Sequence, residues 1–449
     1  MVLLYVMPME SLWRKTSHLP TFPSLDHDLH TDVLVIGGGM AGILCALLLH
    51  RAGIDCTLAE ADRLCSGVTG NTTAKLTAQH GLFCSRMVKA LGPEATALYV
   101  QANQEALAQY RALCRDMDCD FEEKDAYVYS RSDSGRLERE LAALDRVDSP
   151  AQFVSRIPLP FPTAGAIRFP RQAQFHPLKF AAAAVQGLRV YEHTRVMALR
   201  PGAALTDKGV IRAERIIVAT HFPFLRWRGA YFLKLYQQRS YVLALEGGPD
   251  MGGMYLDEAE GGLSLRSYGN ILLLGGGGHR TGKQGGGWPF LSDTAGRYFP
   301  QARELTRWAT QDCMSLDGAP YIGRYSSSTP DLYVATGFQK WGMTGSMAAA
   351  MVLTDLVRDR DNPYQRLFSP SRSILHPQLA ANALESGLSL LTPTRPRCPH
   401  MGCALKYNPQ EHSWDCPCHG SRFTPNGRLL DNPATKGCKA LRPHGSSDG

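Results

Sequence analysis

The sequence predicts an α/β protein: a discontinuous nucleotide-binding domain, an interleaved β-rich domain, and a small C-terminal unit rich in cysteine and histidine. Three observations predict it. The opening "DVLVIGGGMAGILCALLLHRAGIDCTLAEAD" (32–62) reads strand, turn, helix, strand. Two later apolar strands, Arg215–Ala219 and the one in "DLYVAT" (331–336), return to that domain around a long stretch of strand-like alternation. Finally, "RCPHMGCALKYNPQEHSWDCPCHGSRF" (397–423) gathers four cysteines and three histidines.

At 449 residues, 44% hydrophobic and 20% charged, the chain has room for two or three ordinary globular domains. Its net charge of +7 is spread along the chain, and no basic block points to nucleic acid. The start "MVLLYVM" is followed by an acid and lacks a basic leader and a cleavage site. It therefore fits neither a signal peptide nor a membrane span, and initiation at Met7 or Met9 stays open. Seven of the twelve cysteines (Cys45, Cys56, Cys65, Cys84, Cys114, Cys119 and Cys313) are scattered, so buried thiols in a reducing cytoplasm are expected.

Asp32–Ile36 is expected as a buried strand, Ile43–Arg51 as an apolar helix and Cys56–Glu60 as a second strand. Gly37, Gly39 and Gly42 form G-x-G-x-x-G around Met40 and Ala41, and Glu60 follows 18 residues after the last glycine. The first glycine permits the tight turn, the second admits a pyrophosphate to the backbone, and the third lets helix and strand pack closely. Glu60 can accept from ribose hydroxyls, so the unit predicts dinucleotide binding. Residues 83–117 and 134–147 carry helical periodicity; 153–176 reads as irregular or β structure; 209–224 reads as a hairpin; and 231–275 reads as antiparallel sheet. "LLLGGGGHRTGKQGGG" (272–287) lacks a following apolar helix and a later acid, so it is read as a strand and loop near the substrate. A glycine-hinged apolar helix follows residue 336, and 384–396 is read as a linker.

The glycine fingerprint cannot separate FAD from NAD. Three segments, "GVTGNTTAKLTAQHG" (67–81), "CMSLDGAPYIGR" (313–324) and "TGFQKWGMTGSMAAA" (336–350), resemble the D-amino-acid-oxidase-like family of FAD-dependent oxidoreductases, which includes glycine and sarcosine oxidases. The resemblance implies a Rossmann-type FAD-binding domain with an interleaved β-rich substrate domain over 28–383. It also implies that Gly37, Gly39, Gly42 and Glu60 hold the ADP half, and that Thr69, Gly70, Asn71, Thr72 and Thr73 lie near the pyrophosphate and isoalloxazine. Beyond the turn at Gly337, it places Gly342, Met343 and Thr344 at a helix N-terminus facing the flavin, where free N–H groups stabilise the reduced ring's negative charge. Cys313 falls where sarcosine-oxidase-like enzymes carry a flavinylated cysteine, while a buried, unmodified thiol is the alternative. Lys75, His80, Arg239 and Lys340 are the candidates for substrate carboxylate binding or flavin tuning.

In the tail, Cys398-x-His400 is followed after fifteen residues by Cys416-x-x-His419. Two thiolates and two imidazoles can hold a 2Fe-2S cluster asymmetrically, and the same set is a legitimate structural zinc site. "CPHMGC" and "CPCHGS" resemble the Rieske family, which implies iron, a Cys403–Cys418 disulfide and a non-ligand role for His412. Only about 50 residues (397–449) belong to this truncated Rieske module, so the cluster, the disulfide or docking must hold it together.

The combined expectation is an FAD enzyme that oxidises a C–N bond of an amine or amino acid and passes electrons through the cluster to a redox partner protein or other acceptor. The short linker is expected to supply a high local concentration without a strong interface. A second reading, electron transfer or redox sensing without metabolite oxidation, stays open, as does homo-oligomerisation.

Overall fold

The computed structural model describes residues 9–225, 227–393 and 396–438. Met7 and the tail beyond Cys438 lie outside the described residues.

Strand Leu29–Ile36 ends in a continuous apolar run, as suits a parallel strand covered on both faces. It pairs in parallel with Cys56–Ala59 on one side and Val210–Val218 on the other. Leu332–Thr336 adds beyond Val210–Val218, and Arg189–Tyr191 beyond Cys56–Ala59, both in parallel. Ile36 is level with Ala59 and Val218, so the carboxyl ends of the central strands form one edge. The glycine turn starts at that edge, where open α/β sheets bind ligands. Helix Met40–Arg51 follows it and packs in one core with helix Gly342–Val357. A Cβ on Gly42 would lie 1.8 Å from the Gly37 carbonyl oxygen, so the helix can approach the turn only with glycine there.

The inserted sequence forms a second, largely antiparallel sheet of nine strands among the described residues. Its long strands Leu235–Glu246, Ile271–Arg280 and Arg303–Ser315 lie side by side, with Leu235–Glu246 in the middle. The helix expected over 83–117 is present as Cys84–Cys114 but breaks at Gly92 (φ 86), followed by Pro93. Proline cannot donate to the preceding turn, which the periodicity alone conceals.

Two segments differ from expectation. Ahead of the first strand, helix Leu12–Thr16 buries Leu12 and Trp13 completely, so the folded unit begins before residue 28. The stretch 384–396, read as a linker, is helical through Leu391 as part of Pro377–Leu391. That helix turns polar Asn382 and Ser389 inward while Leu384, Leu388 and Leu391 are exposed. Its polarity is inverted relative to an ordinary surface helix, which is why its pattern does not read as one.

The C-terminal unit is a four-stranded sheet (Lys406–Asn408, Ser413–Asp415, Arg422–Phe423, Leu429–Asp431) over a small core of Leu405, Trp414, Phe423, Ala434 and four cysteines. Among the described residues, no helix is long and apolar enough to cross a membrane.

Candidate functional site

A cavity of about 820 Å³ opens at the carboxyl edge of the parallel sheet and continues to the antiparallel sheet. Gly37, Gly39, Met40, Ala41 and Glu60 line one end. The Glu60 carboxylate accepts from the Gly38 and Asp62 amides at 2.6 and 2.8 Å, and burial raises its pKa. The Met40 amide donates to Thr69 Oγ1 at 2.9 Å, tying the threonine loop to the first turn of the helix. A Cβ on Gly39 would approach only Thr69 Oγ1, at 3.4 Å, and would stand in the cavity. That bare backbone is a cradle for a close-lying pyrophosphate, and it fits the ADP half of FAD.

Thr69, Thr72 and Thr73 line the cavity, whereas Gly70 and Asn71 stand behind them. Their carbonyls are held from outside: Gly70 accepts from Ser11 Oγ, Asn71 from Trp308 Nε1 at 2.9 Å, and Thr72 from Trp13 Nε1 at 2.6 Å. Arg14 reaches the carbonyls of Cys65 and Ser66. Sequence reasoning missed Ser11, Trp13 and Arg14 because no motif marks them. The one available signal was a tryptophan inside a polar leader.

At the other end, Gly342 and Met343 open helix Gly342–Val357 against the cavity wall. Thr344 turns its hydroxyl away to the Thr77 carbonyl at 3.1 Å, and Gly337 forms a left-handed turn (φ 71) behind the wall. Cys313 lines the cavity, with burial pushing its thiol up to about 12.

The four candidate side chains separate. Lys75 faces the cavity and donates from Nζ to Ser264 Oγ at 2.6 Å and the Tyr255 carbonyl at 2.9 Å; burial, with Arg266 nearby, lowers its pKa to about 7. His80 stacks on Trp341 at 4.7 Å and meets Tyr99 Oη at 2.6 Å, and burial lowers it to about 3, so it is a neutral wall residue. Lys340 also faces the cavity, bonded to Ser240 Oγ at 2.6 Å and Asp312 at 3.0 Å. Arg239 does not reach the cavity. Strand alternation puts Gln238 and Ser240 on the cavity face and Arg239 on the other, where its guanidinium is buried against Glu411 of the C-terminal unit.

Cys398, His400, Cys416 and His419 converge, all buried. The two loops close alike: the Gly402 amide donates to the Cys398 carbonyl and the Gly420 amide to the Cys416 carbonyl, both at 2.9 Å. Cys398 and Cys416 share one small buried core, and the imidazoles of His400 and His419 lie 5.0 Å apart, nearly perpendicular. His419 donates from Nε2 to the Phe232 carbonyl at 3.0 Å. That fixes the tautomer and leaves buried Nδ1 without a hydrogen-bond partner, as a metal ligand requires. The set therefore fits an iron-sulfur cluster. Cys403 and Cys418 face each other across the two loops with Cα atoms 6.7 Å apart. His412 is exposed and bonds Tyr407, outside the constellation.

This unit is docked rather than merely tethered. Gln237 Nε2 donates to the carbonyls of His419 (2.8 Å) and Asn432 (3.0 Å), and Gln311 Nε2 donates to that of Gly420 (2.9 Å). Asn432 Nδ2 donates to the carbonyls of Thr220 and Phe222, and Arg280 reaches those of Pro417 and Cys418. Burial acts to raise the pKa of Glu411, but Arg239 and Arg422 outweigh it and hold the carboxyl at about 2. Of the stretch 272–287, expected near the substrate, Gly275, Gly276 and Gly278 line the cavity, whereas its later part abuts the C-terminal unit, with Gly282 against Pro417 and Gly287 against Gln410. Leu429–Asn432, Ala434 and Thr435 line the FAD cavity itself.

Fold and site together define a flavoprotein oxidoreductase carrying an iron-sulfur module. The chain belongs to the FAD dependent oxidoreductase family, matched over residues 32–356, with a Rieske [2Fe-2S] domain over 391–442. Its cofactors are FAD and a Rieske-type 2Fe-2S cluster. It is 31% identical to YhfW of Bacillus subtilis (strain 168), a Rieske-containing protein, across 96% of this chain and 97% of that one. It is 26% identical to gamma-glutamylputrescine oxidoreductase of Escherichia coli over 44% of this chain and 50% of the other. The crystal structure of glycine oxidase from Geobacillus kaustophilus shares the fold, with a TM-score of 0.65 at 21% identity, covering 77% of this chain and 99% of that one.

Proposed function

We propose that this enzyme oxidises a C–N bond of an amine or amino acid in the FAD cavity and passes the electrons, one at a time, through the Rieske module to an external acceptor. The observation that carries the reading is a shared wall: the module's residues Leu429–Asn432, Ala434 and Thr435 line the flavin cavity, and its two histidine rings both stand edge-on to Phe222, at 6.2 Å. Bound FAD supplies a two-electron acceptor and the cluster a one-electron carrier.

In this reading the chain's own groups bind, orient and move protons. Gly37, Gly39, Gly42 and Glu60 hold the ADP half, and Thr69–Thr73 the pyrophosphate. The Gly342 and Met343 amides present the positive end of their helix to the flavin's pyrimidine edge. Lys75, with its pKa near 7, has a neutral fraction able to take a proton at Nζ from the substrate's ammonium group. Lys340, fixed by Asp312, adds positive charge near the helix N-terminus. Cys398 and Cys416 ligate one iron, and His400 and His419 the other. Cys403 and Cys418 form a disulfide that joins the two cluster loops, protected by burial in a cytoplasmic setting. Cys313 is the position at which a covalent flavin thioether would form. Acid precipitation reads that out: colour wholly in the supernatant excludes the bond.

Anaerobic mixing with a panel of amines and amino acids tests the reading. A substrate should bleach the flavin and then give the reduced-cluster EPR signal, while His419→Ala should bleach flavin alone. If no panel member bleaches the flavin, or if the cluster stays oxidised for minutes beside reduced flavin, the reading is wrong.

A further inference from the structure

The module's docked position raises a question of exit. His400 and His419 are 7% and 4% exposed, enclosed by the flavin domain, so an external acceptor cannot touch the histidine edge directly. His419 nevertheless has one aromatic connection to the surface. Its Nε2 donates to the Phe232 carbonyl, its ring lies 6.4 Å from the Phe232 ring, and Phe232 meets Trp227 edge-on at 5.6 Å. Trp227 is 68% exposed, whereas the five other tryptophans are buried or half-buried. An exposed indole at the end of a ring-to-ring path from a redox ligand is out of keeping with a plain surface, and tryptophan is a favoured anchor at protein interfaces. Exposed Arg228 follows it, in a chain whose net charge is +7. A tryptophan beside an exposed arginine, on a chain of positive net charge, attracts a negatively charged surface and repels a positive one.

We propose that Trp227 and Arg228 dock an acidic one-electron carrier protein, which takes the electron from the cluster by way of His419 and Phe232. The proposal rests on the cluster serving as an electron outlet, and it names the outlet's surface and the partner's chemistry. One electron leaves the reduced cluster and converts a carrier's Cu(II) to Cu(I); no bond forms or breaks. The exit thus uses a ring distinct from buried Phe222, which both imidazoles also meet.

The test uses the full-length holoenzyme with its cluster reduced directly by dithionite, so a failure of amine oxidation or of flavin-to-cluster transfer does not affect it. The reduced protein is mixed anaerobically with oxidised plastocyanin, an acidic blue-copper protein, and copper bleaching is followed. The wild-type rate should fall steeply with salt. Trp227→Ala and Arg228→Glu should each slow it at least tenfold without altering the cluster EPR spectrum, and Phe232→Leu should slow it while leaving affinity intact. Calorimetric binding of reduced plastocyanin, which involves no turnover, should weaken at least fivefold in the first two variants. A basic c-type cytochrome should show the reverse charge response, reacting faster with Arg228→Glu than with wild type. Wild-type rates and binding in both surface variants, or a salt-independent rate, would overturn the proposal.

Discussion

Gly42 and Gly39 belong to one motif but do different physical work, and substitution should separate them. An alanine Cβ at Gly42 would overlap the Gly37 carbonyl at 1.8 Å, so the helix must retreat from the sheet. Gly42→Ala should lower stability by about 1–3 kcal/mol, the usual range for overpacking, and reduce flavin content together with the melting temperature. Gly39→Ala meets only Thr69 Oγ1 at 3.4 Å, so the melting temperature of the flavin-free protein should hold while FAD affinity falls. Equal thermal losses in the two variants would contradict this division. Lys75 makes a pH prediction. Its pKa falls from 10.5 to about 7 on folding, so between those values the unfolded chain binds more protons. Stability from this residue therefore rises as pH increases from 7 to 10.5, and the penalty for a buried ammonium is complete below 7. Lys75→Met should flatten that rise by a few kcal/mol. Denaturant midpoints at pH 6 and pH 9, at saturating FAD, measure it.

Among the elements, strand Leu235–Glu246 has two separate tasks on its two faces. Gln238 and Ser240 face the flavin cavity, while Gln237 and Arg239 hold the Rieske module. Arg239 and Glu411 are both buried, and Glu411 also pairs with Arg422 at 2.8 Å. Removing one member of such a pair costs about 3–5 kcal/mol, because the other charge stays buried. Glu411→Gln should therefore accelerate amide exchange across 397–438 by on the order of a hundredfold or more while leaving the flavin spectrum unchanged. Unchanged protection would mean that the backbone bonds from Gln237, Gln311 and Arg280 hold the module alone. Because the folded pKa of Glu411 is depressed to about 2, its contribution is complete above its ordinary value of 4.5 and is lost as pH falls towards 2.

At the scale of the whole molecule, a docked module predicts different kinetics from a tethered one. Beyond the proximity expected from a short tether, the module has an interface with a buried ion pair and at least five side-chain-to-carbonyl bonds, which is the docking option among those expected to hold it. Flavin-to-cluster electron transfer should then be first order, independent of protein concentration, and unchanged when glycerol raises solvent viscosity severalfold. A rate that falls in proportion to viscosity would indicate a swinging module.

The sequence by itself determined the local frames of the two candidate sites, because both rest on local geometry, while the choice of FAD over NAD and of iron over zinc rested on family resemblance. A strand–turn–helix with glycines at fixed offsets, and two short loops that each close on their own cysteine carbonyl, are complete within a few residues. Cys398, His400, Cys416 and His419 are all buried in the C-terminal unit, and Gly37, Gly39 and Glu60 line the cavity. Only the tertiary structure decided which way the side chains at a distance face. Arg239 was legible as a cation on a strand, but which face of that strand met substrate depended on where the C-terminal module docks. Trp13 and Ser11 support the flavin loop from 59 residues away and Arg14 from 52, with no periodicity to announce it. The helix through Leu391 hid because its polar face is the packed one. Local motifs carry their own geometry in the chain; a docking face is set by a partner surface distant in sequence, and no short-range pattern records it.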